Sequence, residues 1–316
     1  MSRQLLLPLL LVLSWPALAQ RIAVSGTAIV LHNPRNGVRV VVNDTVRKFQ
    51  KSTLRLENPD FSGFEKLVRD YSFFVKEDGR FRVEARPADS LYFEGYHTIR
   101  QAYQVADLLK RPAINIVLQP APCLPYVPCR DSLPRHYVFI GEKIRVEATA
   151  EPYYCNRISM DSKYTAEYKV LANVYGHLPH DTIRFSAYDH YGRPAFSKKQ
   201  VVLLFVSEYC QELIHEKYQY FPLYKTADNR WAAPYPALTY ASLPAGSGTK
   251  PHRLKFREPV VIDITGNDPD YVARTFPAPY YRIENNQAIA IYGNYVDELV
   301  ELSKQTVLKA RGIILR

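Results

Sequence analysis

In three stretches of this chain apolar and polar side chains alternate one by one, a pattern that no helix can use. Phe81, Val83 and Ala85 are interleaved with Arg80, Arg82, Glu84 and Arg86. Ile144, Val146 and Ala148 are interleaved with Arg145 and Glu147, and Ile183, Phe185 and Ala187 with Arg184 and Ser186. Successive side chains of a strand point to opposite faces, so each stretch predicts a strand with one face buried and the other in water. One-sided burial of this kind belongs to antiparallel sheets and barrels. Val201–Val206 lacks the alternation and predicts a strand covered on both faces. Composition leans the same way: 24 Tyr suit pleated surfaces, and 23 Pro punctuate helices more than they extend them. At 316 residues the chain is long enough for two cores. Hydrophobic residues at 47% and charged residues at 23% exclude wholesale disorder and a multi-span membrane protein.

The first nineteen residues read as an export leader. Arg3 supplies a positive start, Leu5 to Leu13 form an apolar stretch interrupted by Pro8, and Ala17-Leu18-Ala19 has the small-x-small pattern of a cleavage site. The apolar stretch is far shorter than the ~20 residues of a spanning helix, so the expectation is a mature chain from Gln20 with no transmembrane anchor. Gln20 in place of a cysteine implies no lipid anchor. Export places Cys123, Cys129, Cys155 and Cys210 in an oxidising compartment, where four cysteines predict two disulfides. Of the three connectivities, Cys123–Cys129 with Cys155–Cys210 is favoured, because the first pair closes a short loop. Zinc is disfavoured by the lack of any C-x-x-C pair.

Residues 20–119 read as a small β-sandwich. Ile22–Leu31 and Val38–Val42 are strands around the turn Pro34-Arg35-Asn36-Gly37. Phe61, Phe64, Leu67, Val68 and Tyr71 form a helical stripe over 58–71 with Asp60 as its cap. Phe73–Val75 is expected to pair with Phe81–Ala85 across Glu77-Asp78-Gly79. Leu91–Phe93 and Ile114–Leu118 are further strands, and Arg100–Leu109 a short helix. Val24-x-Gly26, Gly37-Val38, Asp78-Gly79-x-Phe81, Asp89-Ser90-Leu91-x-Phe93-x-Gly95-Tyr96 and Ile114-x-Ile116-x-Leu118 occur in this order. That series resembles the carboxypeptidase regulatory-like module, a transthyretin-like β-sandwich. The resemblance implies an accessory unit of exported bacterial envelope proteins. It carries no peptidase activity over, since the chain has no carboxypeptidase domain.

Residues 120–134 are a Pro/Cys linker. Residues 135–225 contain strands at Tyr137–Ala148, Tyr164–Tyr175, Asp181–Tyr188 and Val201–Val206, expected to close an OB-like β-barrel. Phe139-Ile140-Gly141-x-x-Ile144, Val170-x-x-x-Val174-Tyr175-Gly176 and Asp181-Thr182-Ile183 are weakly similar to the netrin/tissue-inhibitor-of-metalloproteinase type of barrel. Inhibition in that family relies on a free N-terminal cysteine, which this chain lacks. Residues 226–252 read as an exposed loop. Residues 253–316 form a β-rich C-terminal extension: strands at Leu254-x-Phe256 and Val260–Ile264, a hairpin over Tyr280–Ile291 and a last helix or hairpin. The expected fold class is therefore mainly β with few short helices.

No assembled catalytic motif is visible. His215-Glu216 opens like a zinc-protease helix, but Gln219 stands where the second histidine belongs, so the pair reads as a surface His-Glu. His177 and His180 lie close enough to hold a metal weakly, with only Asp181 or Asp189, at unknown distance, to supply a third ligand. Asp189-His190-Tyr191 reads as a turn. Ser247 sits in a Gly-Ser stretch without a nucleophile's setting. No cofactor is implied. A formal net charge of +10 is the remaining feature, with Arg80 and Arg82 on one strand and Arg253 and Lys255 on another as possible anion-binding residues. The reading that follows is a non-enzymatic exported protein, periplasmic, surface-bound or secreted. It would hold an envelope protein or an anionic or carbohydrate polymer, and no nucleic acid. The alternative is a hydrolase whose site gathers His177, His180, Asp189, His190 and His215.

Overall fold

The computed structural model describes residues 20–31, 37–53, 60–131, 134–246 and 248–315. The expected leader, the first part of the expected turn at 34–37, the start of the 58–71 stripe and Ser247 lie outside these residues. Strands make up 43% and helices 18% of the described residues, so the fold is mainly β, with few short helices. The chain divides into two compact units between Leu124 and Pro125. No helix among the described residues is long and apolar enough to cross a membrane.

The first unit contains β1 (Ile22–Val30), β2 (Arg39–Val42), α1 (Thr45–Thr53), α2 (Phe64–Tyr71), β3 (Ser72–Phe74), β4 (Arg80–Ala85), β5 (Ser90–Glu94), β6 (Gln101–Gln104), α3 (Val105–Leu108) and β7 (Asn115–Leu118). One sheet has the order β4-β1-β7 and the other β3-β2-β5-β6. Val24, Phe81 and Val83 of the first and Val40, Leu91 and Phe93 of the second join in one buried cluster. Phe81, Val83 and Ala85 are inside, with Arg80, Arg82 and Glu84 in water, as their alternation requires.

Three local expectations fail here. Phe73–Val75 does not pair with Phe81–Ala85: Val40 faces Phe73 while Val24 faces Val83, so the chain passes from one sheet to the other at the Gly79 turn. Alternation specifies which face is buried, not which neighbour covers the edge. Asp60 accepts from Ser62 N at 2.7 Å and bends the chain three residues before Gly63, which occupies the N-cap of α2. The stretch 100–109 starts as β6 and turns helical at Val105. The apolar stripe at 61–71 was legible, but its partner α1 was not: Phe49 of α1 stacks on Phe64 at 5.9 Å.

The second unit begins with a closed five-stranded barrel of β8 (Arg135–Ala148), β9 (Ser162–Tyr175), β10 (Thr182–Asp189), β11 (Val201–Tyr209) and β12 (Glu212–Pro222), in the order β10-β12-β11-β8-β9. β10 and β12 meet in parallel and every other pair is antiparallel, the Greek-key closure of OB-like barrels. Ile183, Phe185 and Ala187 face inward as expected. Ile144 does not: a register shift between Lys143 and Arg145 leaves it 50% exposed, while Val146 stays inside. A 3-10 turn (Ala195–Lys198) places Phe196 in the barrel core, 4.6 Å from the ring of His215. β11 is covered on both faces. Val202, Leu204 and Val206 fill the barrel, while Leu203 and Phe205 join a second cluster outside it with Leu299 and Leu302.

That outer cluster explains the rest of the chain. β13 (Tyr224–Lys225), β14 (Trp231–Pro234), β15 (His252–Arg253) and β19 (Tyr292–Tyr295) form one sheet; β16 (Val261–Asp263), β17 (Tyr281–Glu284) and β18 (Gln287–Ala290) form another. Along the chain α4 (Ala237–Ala241) follows β14 and α5 (Pro269–Thr275) follows β16, and α6 (Val296–Gln305) and α7 (Val307–Ala310) come after β19. The expected exposed loop at 226–252 is corrected: Ala232 and Ala233 are fully buried in β14, paired with β19. Pro and Ala signal a loop only where nothing packs over them. The Tyr280–Ile291 hairpin forms, with Asn285 and Asn286 at positive φ in its turn.

Cys129 is bonded to Cys210 across 81 residues, Cys123 and Cys155 are disulfide-bonded as well, and no described cysteine is free. Two disulfides are thus present, but neither Cys123–Cys129 nor Cys155–Cys210 forms. The strand pairing brings the β11–β12 turn to the start of the barrel, which makes a distant cysteine a nearer partner than the one six residues away.

Candidate functional site

Two adjoining cavities, of about 570 and 490 Å3, open at one end of the barrel and share Arg135 and Tyr137. Their common wall is the start of β8. Tyr137 packs with the barrel interior, whereas Val138 belongs to the outer cluster. Alternation therefore sends His136 to the outer face and lets one short stretch line both cavities. The end of β9 adds Tyr175, the loop after it His177 and His180, β10 Arg184, the end of β11 Glu208 and Tyr209, and the tail after α7 Arg311. The result is a groove from the barrel mouth over its rim, with three arginines, three tyrosines and one lining carboxylate, Glu208.

The rim is fixed by local chemistry. Gly176 turns the chain out of β9 at φ +69, where a Cβ would stand 2.9 Å from the carbonyl oxygen of His136. Cys210 and Gln211 form a two-residue hairpin turn with both residues at positive φ, a conformation usually given to Asn-Gly. The Cys129 disulfide holds that turn, and Cys210 N donates to Asp131 Oδ2 at 3.3 Å.

Charges in the groove are partly matched. Arg135 Nη2 donates to Glu208 Oε1 at 2.7 Å, and Tyr137 Oη to Glu208 Oε2 at 3.3 Å. Arg311 reaches Glu216 Oε2 at 3.4 Å and Lys217 O at 2.7 Å. Behind the wall, Ser207 Oγ lies 2.6 Å from His136 Nδ1 and donates to Glu216 Oε1 at 2.6 Å. Tyr209 Oη donates to the same carboxylate oxygen at 3.1 Å. Burial pushes the His136 pKa below that of a free imidazole, only partly opposed by Glu216. The array is no nucleophile triad. Ser207 is 1% exposed and its proton is directed to Glu216, so its hydroxyl links the carboxylate to the imidazole.

The anticipated residues scatter. His177 and His180 both line the groove, with His177 Nδ1 3.4 Å from Asn173 Nδ2. Asp189 is buried and accepts from Tyr191 N at 2.8 Å, the expected turn. His190 is near the surface, with Nδ1 2.8 Å from the Met160 carbonyl. His215 and Glu216 are not a surface pair. Adjacent on β12, they point to opposite faces, and His215 is sealed in the barrel with Nε2 donating to Gln219 O at 2.9 Å. Burial pushes its pKa down to about 4. The five residues of the hydrolase pool thus do not share one crevice. Among the described residues, no group of three His, Cys, Asp or Glu side chains is placed to hold a metal ion.

Arg80 and Arg82 line a shallow cleft of about 550 Å3 in the first unit, with Lys76. Arg253 and Lys255 are exposed on the second unit and line neither cavity of the groove. Sequence reasoning missed Arg135, His136, Ser207, Tyr209 and Arg311. They meet only because β8 pairs with β11 and the last turn folds back, and neither event leaves a local motif. No protein-family model matches this chain, and no curated protein matches it.

Proposed function

We propose that this is an exported, non-enzymatic protein of the cell envelope whose barrel unit holds an anionic polymer, carbohydrate foremost, in the groove. The observation that carries this reading is the convergence of Arg135, Arg184 and Arg311, from three distant parts of the chain, on cavities with a single lining carboxylate. Tyrosines beside arginines suit a sugar polymer, offering flat apolar faces to ring C–H groups and hydroxyls to ring oxygens. Barrels of this architecture bind oligosaccharides and oligonucleotides at their loops, and export favours the former. The leader pattern and two disulfides support the compartment. The first unit serves as an accessory of the carboxypeptidase regulatory-like kind; its ordered motifs and two sheets around one core support that role.

Titration of the full chain with a sulfated polysaccharide tests the binding reading. Affinity should fall by about an order of magnitude between roughly 50 and 200 mM salt, because exposed charge contacts are screened. Salt-independent binding, or none, would overturn it. In cells, the mature protein should begin at Gln20 by intact mass.

A further inference from the structure

We infer that His136 is a specificity-determining residue of the groove: its Nε2 accepts a hydroxyl from the ligand, so the site selects acidic polysaccharides over polyanions that carry no hydroxyls. The inference rests on the anion-binding reading above and deepens it.

The argument follows one proton. Ser207 has a single hydroxyl hydrogen, and its 2.6 Å contact with Glu216 Oε1 uses it. What Ser207 offers His136 Nδ1, also at 2.6 Å, is a lone pair. Nδ1 therefore carries the imidazole hydrogen, and in the neutral ring Nε2 is bare. Glu216 cannot rotate away from this task, because Tyr209 Oη and Arg311 Nη1 hold its two oxygens. The array is enclosed by β8, β11, β12 and the C-terminal tail. The charged groups they bring near the ring are Arg135, Glu208, Glu216 and Arg311. Burial favours the neutral ring. His136 itself lines the cavity, and no hydrogen bond to its Nε2 exists among the described residues.

A bare ring nitrogen repels a carboxylate or sulfate oxygen and attracts a hydroxyl. Arg135 and Arg311, which line the same cavity, attract the anion. A ligand that satisfies both carries hydroxyls and negative charge on one unit, with a flat face for Tyr175 or Tyr209. An acidic sugar has all three; a polyacrylate or polyglutamate chain has only the charge.

The full chain is titrated at pH 7.5 and fixed ionic strength with polygalacturonate and with polyacrylate of matched charge. The wild type should prefer polygalacturonate by about three- to tenfold, the range one hydrogen bond supplies. His136→Ala should lose that preference and keep its polyacrylate affinity. His136→Gln, which retains an acceptor, should recover part of it. Ser207→Ala, which frees the ring to present a hydrogen at Nε2, should reduce the preference with His136 still in place. The nitrogen NMR shift of Nε2 should lie in the unprotonated range and move in Ser207→Ala. Equal losses for both polymers in His136→Ala, or no wild-type preference despite salt-sensitive binding to both, would overturn the inference and leave the groove. Failure to bind either polymer would overturn the groove itself, and the inference with it.

Discussion

Each unit has a basic cleft, and the two are built in opposite ways. In the first unit Arg80 and Arg82 come from one strand and are matched by their sequence neighbours: Asp78 lies 2.5 Å from Arg80, and Glu84 3.7 Å from Arg82. In the second unit the cations come from β8, β10 and the C-terminal tail, and Arg184 has no ion-pair partner among the described residues. Alternating charge on a single strand solvates it and discourages edge pairing. Charge gathered from distant segments has no such use, since surface pairs add little stability. The lesson is that a basic motif readable along one strand carries its own neutralisation, whereas the field available to a ligand arises from topology.

Perturbing the second unit's scaffold should therefore disable its groove and leave the single-strand cleft alone. The largest effect is expected from removing the disulfide at the groove rim. Cys129→Ala with Cys210→Ala opens a loop of 81 residues and should cost about 2–5 kcal/mol in urea unfolding of the second unit. Polymer binding should weaken with it; unchanged stability would show the rim is held by other means.

Acid comes next. His215 titrates at about 4 in the fold and at 6.5 as a free side chain, so between those values the unfolded chain binds the extra proton. Stability should be complete above pH 6.5 and decline towards pH 4 by at most about 3 kcal/mol. His215→Phe should flatten that slope in urea titrations at several pH values. A slope that persists in the variant assigns acid sensitivity to other groups.

A smaller effect is expected at the turn out of β9. Gly176→Ala places a methyl group at φ +69 against the His136 carbonyl and should cost about 1–2 kcal/mol. The same change at Gly192, also at positive φ but with nothing within 4 Å of its Cβ, should cost less. Equal losses would mean that backbone conformation, not the close approach to β8, sets the requirement.

The same contrast explains what was legible in the sequence. Period-two alternation identified the inward faces of β4 and β10, and the uniform Val201–Val206 run identified a strand covered on both sides. These are properties of one segment and its solvent. Strand β12 was missed because Glu212–Pro222 mixes charged, aromatic and amide side chains; it is a strand because β10 and β11 take up its hydrogen bonds. β14 was hidden in a Pro- and Ala-rich stretch for the same reason. At the site, His177 and His180 were visible as a pair, but Arg135, Ser207 and Arg311 became neighbours only through closure of the barrel and return of the tail. Glu216 was noticed for the wrong chemistry: its partner is Ser207 on the adjacent strand, not His215 beside it in sequence.

The most direct test sets the two clefts against each other. Arg135→Gln, Arg184→Gln and Arg311→Gln are combined in one variant, and Lys76→Gln, Arg80→Gln and Arg82→Gln in another, so that each loses three positive charges. Both are titrated with an acidic polysaccharide at low salt. The groove variant should lose at least about tenfold in affinity, equivalent to about 1.4 kcal/mol, and most of its salt dependence. The first-unit variant should remain within about twofold of wild type, since Arg80 and Arg82, two of its three cations, are already matched by Asp78 and Glu84. Equal losses in the two variants would show that net charge alone governs binding and would contradict the groove.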